Sequence, residues 1–417
     1  MGLDQKRPRG RKFALIVGGI IAVAALLIAT IVVVAAGGSG GSSSASRELD
    51  TSFKAPRSFE SVDAVYGEES YTCAPTDSGC VRKFLVEVTV DYGPKAALGV
   101  MERLQRDNRV DRAVNDHDMA HAVGRGTAKD YGSNFKAFDL CPITFNYGCS
   151  HGFFEYVLAR TDTPKEAATT ICESLNGSDH FLTAGFSCYH GVGHGIMMAE
   201  AYNVQNSLDA CNTLPKDTAK DGCWQGVFME NVNAGMTNRA LPGEFKRSNP
   251  LAPCDKIGDR YKHECFINHA GWLMTVARND VAKGTRYCLK AKGKFKSSCW
   301  QSIGLMVTNP VWQTTLAPEL ASRPPAETAA ALCTRFPASG RPDCVIAGVD
   351  NLANFDQLNV TRERAFCAAV ASSYSSACYR QIGVDIRART QDEQLIRRSC
   401  AGVRSRQRLC LAGAGLA

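Results

Sequence analysis

Apolar and polar positions along this chain fall into a recurring block. A short Ala-rich apolar segment ends in a cysteine, as in PKEAATTIC, AETAAALC and TRERAFC. A polar loop follows. A second cysteine then opens another apolar segment, as in CWQGVFMENV, CWQSIGLMV and CVIAGVDNL. This block predicts a first helix, a loop and a second helix, with a disulfide tying the end of one to the start of the other. From Cys149 onward the second cysteines are 39, 35, 42, 34, 45, 34 and 32 residues apart. A pitch of that size is the mark of stacked helix-turn-helix units. The fold class expected is all-α: a disulfide-stapled helical repeat array, an α-solenoid or an α/α-toroid, over 94–417. The alternating run FLVEVTVDY at 84–92 predicts one short strand in the lead-in segment 48–93.

Residues 13–36 carry no charge. At ~1.5 Å per residue they reach ~36 Å, enough to cross a ~30 Å hydrocarbon core. The basic tail 1–12 precedes them, and GGSGGSSSAS opens a flexible linker at 37–47. The positive-inside rule then predicts a single-pass signal anchor in the plasma membrane. The N-terminus is cytoplasmic and the repeats are extracytoplasmic. An apolar segment this long favours an uncleaved anchor over a cleaved signal, although its Ala-Ala-Gly-Gly end leaves cleavage open. The 18 cysteines all lie beyond the span, an even number that suits an oxidising exterior. In chain order they form nine close couples, and sequential pairing is the one scheme that repeats unit by unit. Zinc knuckles need closer cysteines than any couple offers. Most of the net charge of +7 sits in the tail, so no nucleic-acid partner is expected.

Histidines supply the chemistry. The pairs His117/His121 and His190/His194, with His151/Glu155 between them, each place two ligand-capable residues four apart. Such residues share one helix face. His151 and His190 sit two residues after their unit's second cysteine, and Glu155 and His194 sit six after it. Asn115 takes the cysteine's place before His117. Later units carry Gln225, Ile267, Gln301, Ile346, Arg380 and Ala412 at the first of these positions, so the repeat itself does not require histidine. The units at about 94–200 therefore predict a metal site of His117, His121, His151, Glu155, His190 and His194 assembled across neighbouring helices. A divalent transition metal suits imidazole with a carboxylate: zinc first, copper or iron otherwise. Asp118, Arg125, Glu200 and Glu230 are the other polar residues near this register. His180 reads as a loop residue, His263 as a surface one, and His269 falls outside the register. The glycines of CYHGVGHG predict a close approach between neighbouring helices.

The run HDMAHAVG at 117–124 resembles the zinc-binding helix of metzincin-type metalloproteases, HExxHxxG. That resemblance implies a two-histidine chelate with an adjacent general base. Asp118 stands where that family has the catalytic Glu, and Thr127 where it has the third ligand. The likeness covers eight of 417 residues and amounts to a shared two-ligand geometry.

Three functional classes fit these observations. One is a metal-binding module. The second is a metal-dependent hydrolase at the cell envelope, with Glu155, Asp118 or Glu200 as candidate base. The third is an interaction scaffold whose repeat surface takes a peptide or envelope polymer without metal.

Overall fold

The computed structural model describes residues 51–417 except 69, 112–113, 143, 146, 176–183, 237–239, 242–243 and 357. The basic tail, the apolar span, the whole linker at 37–47, the first residues of the lead-in segment and His180 thus lie outside the described residues. Among the described residues the chain is all-helical, with one isolated bridge between Lys246 and Asn249. No helix among them is long and apolar enough to cross a membrane.

Helices alternate between an outer and an inner row. In chain order α1 (Val62–Glu68) precedes the inner α2 (Ser78–Tyr92), and α3 (Pro94–Arg106) precedes the inner α4 (Asp116–Tyr131). The next pairs are α5 (Phe135–Phe138) with α6 (Gly148–Leu158), α7 (Pro164–Glu173) with α8 (Ala184–Ala199), and α9 (Val204–Asn212) with α10 (Asp217–Met236). One inner segment is then split into α11 (Lys262–Asn268) and α12 (Ala270–Ala277). The array continues with α13 (Val281–Tyr287) and α14 (Phe295–Thr308), followed by α15 (Pro310–Leu316), α16 (Pro325–Thr334) and α17 (Arg341–Asp356). It closes with α18 (Thr361–Ala369) and α19 (Ser372–Arg389), then α20 (Glu393–Ala401) and α21 (Gln407–Gly413). The inner helices α2, α4, α6, α8, α10, α11, α14, α17, α19 and α21 each pack on the next.

All cysteines pair in sequence, forming the nine couples that the spacing predicts. Each bridge fixes the start of an inner helix to the segment before it. Closing such short loops contributes ~2–3 kcal/mol apiece, mainly by restricting the unfolded chain. The unit of α3 and α4 has no bridge. There the side chain of Asn115, in the position of the missing cysteine, accepts from the backbone N–H of Asp118 and caps α4.

The strand expected at 84–92 is helix α2. Val81, Phe84, Leu85, Val88, Thr89 and Tyr92 are its buried residues, a helical spacing that the alternating run also contains. Asp77 caps its start by accepting from the backbone N–H of Cys80. Burial of that stripe against α4 outweighs the strand preference of its β-branched residues.

Neighbouring inner helices touch backbone to backbone. A Cβ on Gly152 of α6 would lie 1.9 Å from the carbonyl oxygen of His121, and one on Gly226 of α10 would lie 1.9 Å from that of His190. Gly124 and Gly193 answer from the facing helices, where an added Cβ would meet the carbonyls of Cys149 and Cys223. The array also bends back on itself. Glu102, Gln105 and Arg106 of α3 face Pro310, Phe355 and Arg362 across a cavity of about 870 Å³.

Because no side chain fits between α4 and α6, Gly152→Ala forces these helices apart. The expected loss of stability is ~1–3 kcal/mol, read from the denaturant midpoint. An unchanged midpoint would show that the contact is not tight.

Candidate metal centre

Three inner helices bring the five register histidines together. The capped start of α4 carries His117 and His121 one turn apart, α6 carries His151 and Glu155, and α8 carries His190 and His194. His121, His151, Glu155, His190 and His194 are buried, and His117 is half-buried. The rings form one contiguous group with His151 at its centre. The centroid of His151 lies 5.3 Å from that of His117, 5.4 Å from His121, 4.7 Å from His190 and 5.2 Å from His194. His121 and His194 are 5.3 Å apart.

Hydrogen bonds orient four of these rings in two matching halves. His121 Nδ1 donates to Glu155 at 2.6 Å, and His194 Nδ1 donates to Glu230 at 3.2 Å. In each half the carboxylate comes from the next inner helix. His117 Nδ1 donates to the carbonyl of Phe145 at 2.8 Å, and His190 Nδ1 donates to Gln225 Oε1 at 3.0 Å. Gln225 in turn donates from Nε2 to Glu264, which fixes the orientation of its amide. Each of these acceptors holds the ring proton on Nδ1, so in the neutral ring each Nε2 keeps its lone pair. Those lone pairs face each other: His117 and His121 Nε2 are 3.0 Å apart, and His190 and His194 Nε2 are 3.2 Å apart. Two nitrogens each about 2.1 Å from one ion, at ~90–110° to each other, lie ~3.0–3.4 Å apart, so both pairs have the bite of a chelate. An imidazole whose Nδ1–H is held by a carboxylate or carbonyl is also the usual partner of a metal.

His151 completes the group. Its Nδ1 is buried with no hydrogen-bond partner among the described residues. It belongs to two of the three sets of side chains close enough to hold an ion: His117, His121 and His151, then His151, His190 and His194. The third set is Glu155, His194 and Glu230.

Electrostatics keep most of the rings neutral. Burial lowers His117 to about 3, and the neighbouring imidazoles add to the effect. Burial also holds His151 and His190 well below the ordinary histidine range. At His121 burial acts the same way, but the charge and hydrogen bond of Glu155 outweigh it and raise that ring. Burial alone would raise Glu155; His121 and Arg125, which both donate to it, instead hold it far below the usual carboxylate range.

Asp118 is exposed on the surface of α4, and Glu200 lies beyond the end of α8, accepting from Asn206 Nδ2 at 3.3 Å. The structure brings neither into the cluster. Thr127, in the place of the metzincin third ligand, is buried and donates to the carbonyl of Val123. The partners of His117 and His121 come from neighbouring helices instead. His263 is half-exposed and bonded to Ser298, and His269 is a core residue bonded to the carbonyl of Pro250. The roles of Glu230 and Gln225 were not assigned from the sequence. Glu230 sits seven residues after Cys223, one off the histidine register, and Gln225 shares the register position of His151 and His190. The carbonyl of Phe145 leaves no trace in a side-chain pattern.

No family model matches this chain, and comparison with curated proteins and with solved structures gives no significant match.

The neutral rings make the metal-free protein acid-sensitive. His117, His151 and His190 bind fewer protons folded than unfolded, so each loses stability as pH falls below the unfolded value of about 6.5. For His117 the loss continues to about 3. His121, raised in the fold, acts in the opposite sense but is one ring against three. Buried carboxyls raised in the fold, Asp385 and Glu264 among them, act in the opposite sense, so the rings' share is read as the difference in melting temperature between chelator-treated parent and His151→Ala, which should fall steadily between pH 7 and pH 5. A flat profile would mean that the rings are not held neutral.

Proposed function

We propose that this chain is a membrane-anchored, extracytoplasmic helical-repeat protein that binds a divalent transition metal. The ligands are His117, His121, His151, His190 and His194. Zinc is the first candidate, and copper and iron also suit an imidazole set. The observation that carries the reading is the pair of short Nε2–Nε2 separations between rings whose other nitrogens are already held by acceptors. Facing lone pairs in a buried site repel unless a metal ion or a proton lies between them. Glu155 and Glu230 act as orienting partners on His121 and His194, and with His194 they are also close enough to offer a carboxylate ligand. Two chelating pairs around a shared His151 have room for one ion or two. The outside location is supported by the nine disulfides, which persist in oxidising surroundings, together with the apolar segment at 13–36.

A second reading, a metal-dependent hydrolase, draws on one further feature. A cavity of about 540 Å³ is lined by His117, His151 and His190, so the cluster is open to a ligand on one side. A bound divalent ion would supply Lewis acidity there. Glu155 is tied to His121 and Arg125 and is therefore poorly placed as a free base. The same cavity runs along most of the inner row, which suits the peptide or envelope-polymer partner of the scaffold reading.

Elemental analysis of the purified full-length protein should find about one or two ions per chain, with His190→Ala folded but depleted. Full occupancy in that variant, or no metal and no uptake by the parent, would overturn the assignment. Glu230→Gln should weaken metal affinity ~10–100-fold while leaving the fold intact, because it replaces the carboxylate that orients His194 with a neutral amide of the same shape. Unchanged affinity on titration would remove Glu230 from the site.

A further inference from the structure

The cavity has a second polar wall, away from the histidines. Asp350 on α17 lies six residues after Cys344, and Asp385 on α19 lies seven after Cys378. These are the register positions of Glu155 and Glu230 in their own units. The bend of the array places both aspartates on the same cavity as His117, His151 and His190. Asp350 is solvent-accessible, while Asp385 is 5% exposed. Asp385 Oδ1 accepts from Gln381 at 2.8 Å, but its Oδ2 is buried with no hydrogen-bond partner among the described residues.

Arg389 is adjacent but does not satisfy this oxygen. Arg389 is 5% exposed, and its guanidinium donates to the backbone carbonyl of Asp385 at 2.9 Å and to Asn354 Oδ1 at 2.7 Å. Two carboxylates beside one guanidinium leave one negative charge unmatched. Burial, reinforced by the charge of Asp350, pushes Asp385 up to about 8, so a bound cation competes with a proton for this pair near neutral pH. A buried acceptor without a donor is costly, and a protein retains one where something else fills it. A metal ion is a poor fit. Among the described residues, the side-chain sets close enough to hold one all lie in the histidine cluster. A cation that itself donates hydrogen bonds fits both the charge and the missing donor.

We propose that Asp350 and Asp385 form a binding site for the primary ammonium group of a ligand lying in the cavity. The apolar stem of that ligand would run past Trp312 and Phe355, which line the same space. Its far end would then point along the cavity toward the histidines. The ammonium site stands whether or not the histidines hold metal.

The test is a calorimetric titration of full-length, chelator-treated protein with n-hexylamine and with n-hexanol, probes that share a stem and differ in charge. A charge-assisted hydrogen bond is worth about tenfold or more, so hexylamine should bind at least ~10-fold more tightly than hexanol. Asp385→Asn should abolish that preference, and Asp350→Asn should reduce it. Asp350, being solvent-accessible, carries the test if the buried substitution disturbs folding. Equal affinities in the parent, no measurable hexylamine binding at millimolar concentration, or a preference that survives in both variants would overturn the proposal and leave the pair as a structural proton-sharing dyad. Loss of the metal assignment would leave the expected amine preference unchanged.

Discussion

The contact on which this structure depends is the one between glycine-bearing backbones of adjacent inner helices. Gly124 and Gly152 bring α4 against α6, and Gly193 and Gly226 bring α8 against α10. Helices separated by ordinary side chains pack ~8–10 Å apart, and histidines from three of them would not converge easily. Removing the Cβ at these positions shortens the distance a side chain must span. The disulfides at the helix starts then fix the axial register, so His121 meets Glu155 and His194 meets Glu230 instead of sliding past them. Close approach and register together turn a repeat into a site.

The site has an electrostatic logic that single residues do not show. Each half holds a histidine pair by its Nδ1 atoms, through a carboxylate from the next helix for one ring and a neutral oxygen for the other. Anionic acceptors make the Nε2 atoms better donors to an ion, and burial discourages the protons that would compete for them. His151, shared between the halves and unsatisfied at Nδ1, links them into one buried group. The histidines line only one part of the cavity. The acidic pair on α17 and α19 faces the same space at equivalent repeat positions, so the array has placed different chemistry on the same inner register in its two halves.

Much of this was legible in the sequence because the repeat acts as its own control. The cysteine couples, the helix-turn-helix units and the five converging histidines all follow from spacing, since each unit states the same geometry again. The lead-in run at 84–92 was not legible. Its apolar residues satisfy both an alternating and a helical period, and only packing of α2 against α4 decides between them. Only part of Glu155 was legible. Its offset marks it as a ligand candidate, and it lies close enough to His194 and Glu230 to share an ion, but its bonds to His121 and Arg125 of the neighbouring helix leave no mark in the spacing. Glu230 lies one residue off the histidine register, and a helix turns by roughly 100° per residue, so its convergence depends on how α10 is rotated against α8. The bend that sets Asp350 and Asp385 on the same cavity as the histidines accumulates from small rotations between units, which no local motif encodes.

X-ray absorption spectroscopy on metal-loaded full-length protein tests the central claim most directly. The account predicts a first shell of nitrogen and oxygen only, with the outer-shell scattering of several imidazoles and no sulfur. A sulfur shell, or a first shell without imidazole scattering, would contradict it.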